Sequence, residues 1–336
     1  MIEVNSVSKD MLIDSRSKSV FRNLFLPNKS KKRVVDDVGF FINENEKVSL
    51  LGHNGCGKST LMKMLCGIIK PSFGSIKVRG IDPFKDRKKL FEFTGVLFAQ
   101  KSFLYPDLSI RDCLELYSAI HKQSKLAFSK RLKVLDDYLE ITPFYEQPVR
   151  TLSFGQRMRG EIACTLIHDP SLVLLDEPTV GLDLETRNRF NALLKDSGLL
   201  KDKSVVIVTH DLPVVRDFTD RTIVMHQGKL HQELTSNELE SLTTQISYLI
   251  KTEKDISTAL LDSLKEHPSV LNVRHVMNQQ LDLKFRSNTS ESSVQALISQ
   301  VCNRSGVRFC ERKESLDFSS LYLSTANSTL VEARCS

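Results

Sequence analysis

The chain has no apolar run long enough to cross a bilayer. Its longest, such as Leu172-Val173-Leu174-Leu175 and Val205-Val206-Ile207-Val208, fall far short of the roughly 18 residues a spanning helix needs. If the protein works at a membrane, another chain must do the spanning. No charged-then-apolar segment opens the sequence, so no secretory leader is expected. The 7 cysteines are scattered at spacings that suggest neither a disulfide framework nor a zinc site, and His267, His275, Cys302 and Cys310 in the tail are too irregular for one. A reduced cytosolic compartment is the simplest expectation. The excess of one charge sign is also small, a net +6 whose densest piece is Lys29-Ser30-Lys31-Lys32-Arg33. That cluster reads as a solvated loop rather than a nucleic-acid or anionic-lipid patch. What remains is an ordinary globular composition, 40% apolar and 26% charged, in 336 residues. This length suits one large domain and a smaller one.

The strongest local pattern is Gly52-His53-Asn54-Gly55-Cys56-Gly57-Lys58-Ser59-Thr60. It fits the phosphate-loop pattern G-x-x-x-x-G-K-[ST] at every fixed position. Glycines let the backbone wrap a phosphate chain with its N–H groups pointing inward. Lys58 supplies a point charge for the terminal phosphates, and the Ser59 hydroxyl can ligate Mg²⁺. Lys47 to Leu51 reads as a buried strand entering the loop and Leu61 to Leu65 as a helix leaving it, positive end toward the anion. Two readings of Cys56 stay open: a thiolate stabilised by the loop, or a small side chain packed against the sheet.

Further along, Gly95 to Ala99 reads as a strand that delivers Gln100 to its end, where a polar side chain reaches metal or water. From Ser109 to His168 apolar residues recur at helical spacing, with Leu152-Ser153-Phe154-Gly155-Gln156 leading into the last helix. Leu172 to Glu177 is an apolar strand ending in two carboxylates, which a buried strand has no structural use for. Asp176 suits a metal and Glu177 an attacking water. A loop through Gly181-Leu182-Asp183 and a helix to about Leu194 follow, and Ser204 to Thr209 is a buried strand that delivers His210. Near the start, Ile2 to Val7 and Val34 to Ile42 read as strands, and the insertion between them carries Phe21 and Phe25. Either ring, or neither, is the platform for a nucleotide base.

GHNGCGKST at 52–60, Gln100, LSFGQ at 152–156, LVLLDE at 172–177, Gly181-Leu182-Asp183 and His210 resemble, in order and spacing, the ATP-binding subunits of ABC transporters. The resemblance covers about residues 1–230. It implies an α/β fold: a P-loop NTPase core with a RecA-like sheet, an antiparallel β subdomain and a helical signature subdomain near 109–168. It also implies ATP and Mg²⁺ as cofactors. Lys58 and Ser59 then hold phosphate and metal, Gln100 senses metal and couples to the membrane partner, and Asp176 supports the metal. Glu177 is the implied general base and His210 the γ-phosphate contact. Ser153, Gly155 and Gln156 close over ATP held by the opposite subunit, and Asp183 belongs to the same nucleotide-binding set. Two positions depart from the pattern: Phe154 stands where a second glycine is usual, and Met11 stands near the expected aromatic.

The implied protein is an ATPase that dimerises, as homodimer or heterodimer, and couples hydrolysis to a separate integral-membrane permease; no nucleic acid is expected. Its implied place is peripheral, on the cytoplasmic face of the plasma (inner) membrane. Gly95 to Pro106, Leu152 to Arg159, the basic insertion and Ser315 to Leu323 resemble exporter-type subunits for drugs or polysaccharides. The alternatives are an importer subunit, or an ABC ATPase driving a non-transport process; the latter usually carries two cassettes or long heptads, and this chain shows one phosphate loop and no sustained heptads. A regulator without turnover is disfavoured by Glu177 and His210. The domain boundary is expected at 232/233. Residues 233–336 read as strand, helix, two strands, helix and strand, a ferredoxin-like α+β order.

Overall fold

The structure is a computed structural model that describes residues 1–14, 29–98, 102–196, 198–209, 212–252, 257–277, 280–285, 290–305 and 307–316. The expectations placed on Phe21, Phe25, Gln100, His210 and residues 317–323 lie outside these. The chain divides into two compact units, Met1–Ser236 and Asn237–Ser336.

The first unit opens with β1 (Ile2–Asp14), β2 (Lys29–Ile42), β3 (Lys47–Leu51), α1 (Lys58–Leu65), β4 (Phe73–Val78), α2 (Arg87–Phe91) and β5 (Thr94–Phe98). Three longer helices follow, α3 (Ile110–Ile120), α4 (Lys125–Leu139) and α5 (Phe154–Leu166). It continues with β6 (Leu172–Asp176), α6 (Leu184–Asp196), β7 (Ser204–Val208), α7 (Leu212–Phe218), β8 (Arg221–His226) and β9 (Lys229–Thr235); α8 (Ser236–Thr243) starts at the boundary. The main sheet has the order β5-β6-β7-β3-β8-β9 and is parallel except for β9. Strands β6 and β7 are buried at every position, as strands covered on both faces must be, and their Leu/Val/Ile runs follow from that. Because β3 and β6 run parallel, the chain leaving each emerges on the same edge of the sheet, the usual place for a ligand.

A second, antiparallel sheet has the order β2-β1-β4. Here the basic cluster corrects the loop expectation: Lys31, Lys32 and Arg33 lie in β2, opposite Leu12, Met11 and Asp10. Arg33 pairs across the strands with Asp10 at 2.9 Å and within β2 with Asp36 at 3.1 Å, and this neutralisation lets a run of cations sit on a strand. The hairpin β8–β9 was not anticipated at all. Its signal is Gln227-Gly228, both at positive φ (48° and 85°), a short turn between two alternating runs.

The helical segment begins at Ser109, whose hydroxyl accepts from the Asp112 N–H while the Asp112 carboxylate reaches back, a reciprocal cap. Ser124 caps α4 in the same sense. Ile110, Leu114, Leu135, Leu139, Met158 and Ile162 meet in one core with Leu97 and Leu175 of the sheet. Each such fully buried side chain contributes about 1.5–3 kcal/mol.

The second unit contains β10 (Thr244–Thr252), α9 (Thr258–Lys265), β11 (Val270–Met277), β12 (Gln280–Phe285), α10 (Glu291–Ser305) and β13 (Val307–Leu316). Its antiparallel sheet has the order β11-β12-β10-β13, and the helices contribute Leu260, Leu264, Val294 and Val301 to a core with Ile250, Leu281, Leu283 and Phe285. That is the ferredoxin-like arrangement expected from the order of its elements.

One pair in the first unit sets a pH dependence. The rings of His121 and His168 stack at 3.7 Å, and burial, reinforced by His121, lowers the His168 pKa from 6.5 to about 4. Folding therefore favours the neutral ring, so this contribution to stability is complete above pH 6.5 and is lost as pH falls through 4. His168→Phe keeps a ring and removes the titration. Its thermal midpoint is expected to fall less steeply than the parent's between pH 6.5 and pH 4; parallel slopes contradict the assignment.

Candidate functional site

The loop between β3 and α1 is fixed by close backbone approach. A Cβ on Gly52 would lie 2.4 Å from the Met225 carbonyl oxygen, and one on Gly57 would lie 2.7 Å from that of Val34. Only glycine fits at either place. Gly57 is also the N-cap of α1 and offers no side chain to the helix. The first N–H groups of α1 are thus left for a ligand, with the helix dipole favouring an anion there. Lys58 is buried, and its ammonium donates to the carbonyls of Gly52 at 2.6 Å and His53 at 3.2 Å, which hold the charge inside the loop. His53 is exposed, and its ring stands edge-on to His226 at 5.1 Å.

Beside the loop, the Ser59 hydroxyl donates to Asp176 Oδ1 at 3.1 Å. Asp176 is the last residue of β6, and burial raises its carboxyl pKa; the adjacent Glu177 raises it further, while Ser59 and the lysines 63 and 58 lower it. Glu177 sits just past the strand at φ 56°, held by its N–H donating to the Val208 carbonyl at 2.8 Å. Asn54, Gly55, Gly57, Lys58, Ser59, Thr60 and Glu177 line one open cleft of about 570 Å³ with Val34, Phe154, Val180 and Gly181. A hydroxyl and a buried carboxylate at one spot are the hard oxygen donors that Mg²⁺ takes, and a cation there offsets the cost of burying the charge. The donor set therefore fits the metal.

The signature stretch is a helix start. Ser153 accepts from the Gln156 N–H at 3.3 Å, and Gln156 Oε1 accepts from the Ser153 N–H at 3.0 Å. The cap leaves the Ser153 hydroxyl proton free to donate elsewhere. Ser153, Gly155 and Gln156 are not among the residues lining the phosphate cleft. Asp183 caps α6, accepting from the Thr186 N–H at 2.8 Å, which holds its carboxyl below the usual range. Sequence reasoning missed Val34, Val180 and the brace at Gly228, whose N–H donates to the Cys56 carbonyl at 3.0 Å, and it quoted Phe154 and Gly181 as motif positions without placing them at the cleft. Of the three missed, only Gly228 carried a visible signal, as a turn glycine.

Of the residues expected to act in catalysis, Lys58 and Glu177 are thus brought to one cleft, with Asp176 joined to it through Ser59. The whole arrangement defines a phosphate-loop ATPase cassette. The sequence matches the ABC transporter family over residues 35–180. It is 30% identical over 218 residues to the ABC transporter ATP-binding protein NatA of Bacillus subtilis, covering 65% of this chain and 87% of that protein. The linearmycin resistance ATP-binding protein LnrL of the same species is 29% identical over 262 residues, or 76% of this chain and 80% of LnrL. Some relatives are longer: the chain spans 37% of the length of one from Bacillus cereus. Among solved structures, the ATP-binding cassette MJ0796, a dimer in a post-hydrolysis state bound to ADP and Pi, superposes with a TM-score of 0.58. There the identity is 28%, over 70% of this chain and 99% of that one. The chain belongs to the ATP-binding proteins of ABC transporters, and by that membership it is an ATPase. Among the described residues no helix is long and apolar enough to cross a membrane.

Cys56 resolves in favour of packing. It is 1% exposed, its sulfur would lie 2.6 Å from a Cβ on Gly52, and burial raises its thiol pKa even though Lys58 opposes this. The alternative of a loop-stabilised, reactive thiolate is corrected accordingly: the side chain is buried in the core cluster that contains Leu50 and Leu61. Maleimide is therefore expected to label Cys56 only after unfolding, and Cys56→Ala is expected to bind ATP like the parent. Rapid labelling of Cys56 in the native chain, blocked by ATP, is the contrary result.

Proposed function

We propose that the chain is the ATP-hydrolysing subunit of an ABC exporter, acting as a pair of ATPase copies on the cytoplasmic face of a separate membrane permease. The observation that carries this reading is the cleft in which Lys58, Ser59 and Glu177 meet, to which the signature stretch contributes Phe154 while Ser153, Gly155 and Gln156 do not line it. A second copy can supply them. Exposed apolar side chains at Phe154, Val180 and Leu184 give that copy a surface to bury.

In this reading the N–H groups opening α1 and the Lys58 ammonium bind the β- and γ-phosphates. Ser59 and Asp176 hold Mg²⁺, which when bound neutralises phosphate charge. Glu177 takes the proton of the attacking water, and His210 is the proposed γ-phosphate contact, with Gln100 between metal and permease. Phosphoryl transfer depends mainly on positioning and charge, so a site completed only when two copies meet is switched by their closure. The exporter-like stretches at 95–106 and 152–159, and the likeness to the linearmycin resistance protein LnrL, support export over import in this reading.

Glu177→Gln is expected to keep ATP binding, slow turnover by about 10²–10⁴-fold, and accumulate an ATP-bound dimer on size exclusion. Lys58→Ala is expected to weaken binding itself. Parent-rate hydrolysis by purified Glu177→Gln removes Glu177 from the role of base.

A further inference from the structure

Two successive residues of the signature stretch touch the loop that follows the carboxylate pair, both within one chain. The Phe154 ring covers Gly181, where a Cβ would lie 3.1 Å from Phe154 Cε1 and 3.4 Å from Cζ. One residue on, a Cβ at Gly155 would lie 3.2 Å from Thr186 Oγ1 and 3.3 Å from Asp183 Oδ2. Asp183 is itself fixed, since the Thr186 N–H and hydroxyl donate to its two oxygens at 2.8 and 3.2 Å. The Arg157 guanidinium stands 5.4 Å from the Phe154 ring centroid, so a cation and Gly181 both neighbour the ring.

The contacted loop begins at Glu177. The Val180 N–H donates to the Glu177 carbonyl at 3.2 Å, and the Leu182 N–H to that of Thr179 at 3.3 Å. Residues 177–183 therefore form successive tight turns with little slack. Glu177 holds φ 56°, a conformation that a non-glycine residue keeps only when its surroundings fix it. Movement of the ring at Gly181 is thus transmitted to Glu177 through a short, stiff segment. Glycine at position 154 would make neither the Gly181 nor the Arg157 contact.

We infer that Phe154 is a positioning residue that couples the signature helix α5 to the loop carrying Glu177, so that closure of the signature over the second copy's ATP sets Glu177 over its own. The inference rests on the two-copy reading above. The bland rival is a ring that merely covers surface. That rival predicts a change in stability without a selective effect on the loop or on turnover.

The test uses the purified full chain. In Phe154→Ala without nucleotide, amide exchange in residues 179–184 is expected to quicken by about tenfold, with the sheet unchanged. Its kcat is expected to fall by about 10- to 100-fold and the Hill coefficient of turnover to drop to about 1. Phe154→Tyr keeps the ring and is expected to restore all of these. Gly181→Ala provides an independent check. In the parent its Cβ must displace the ring, whereas in Phe154→Ala only backbone strain remains, so the two losses in kcat are expected to be non-additive. Additive losses, or unchanged exchange and kcat in Phe154→Ala, overturn the coupling. The exchange measurement needs only one copy. Absence of ATP-dependent dimers in Glu177→Gln therefore sinks the two-copy reading, whereas unquickened exchange sinks the Phe154 contact.

Discussion

Backbone crowding around the phosphate loop is the constraint on which the rest depends. Gly52 lies against the Met225 carbonyl and Gly57 against that of Val34, at distances no Cβ tolerates. The turn at Gly228 closes the brace: its N–H donates to the Cys56 carbonyl, and its own carbonyl accepts from the Asp36 N–H at 2.8 Å. Three elements, β2, the loop and the β8–β9 turn, are thereby fixed to one another. With β3 between β7 and β8 in the sheet, the loop cannot shift without moving the sheet's centre. Lys58, Ser59 and the opening of α1 inherit their positions from this packing.

The same geometry explains why the acid pair works where it does. Asp176 ends a fully buried strand, and its ionised form is disfavoured until something positive arrives. The Ser59 hydroxyl at the start of α1 donates to it, so strand and helix meet at this carboxylate. Glu177, one residue further, is already outside the strand and lines the cleft. In the proposed reading, a single step along the chain separates a metal-holding role from a water-facing one.

Much of this was legible in the sequence because phosphate chemistry demands fixed residue types at fixed spacing. The phosphate loop, the acid pair and the alternation of buried strands with helices follow directly, as does the order of elements in the tail. Three features did not. The basic cluster at 31–33 looks like a loop because charge runs usually are; only the cross-strand partner Asp10 makes it a strand. Cys56 has a neighbour set, Gly52 and the sheet, that spacing cannot supply. Phe154 reads as a tolerated departure within a motif, and its partner Gly181 lies 27 residues away, beyond any local pattern.

The central claim is that each ATP site is built from two copies, the phosphate loop and acid pair of one and the signature of the other. Mixing two inactive variants tests it most directly: Lys58→Ala, whose signature is intact, and Ser153→Arg, whose phosphate loop is intact. A mixed pair then contains one complete site. The account predicts that ATP turnover, near zero for each variant alone, returns on mixing to about a quarter of the parent rate, assuming random pairing and independent sites. Turnover that stays at the sum of the separate variants, although mixed pairs demonstrably form, would contradict it.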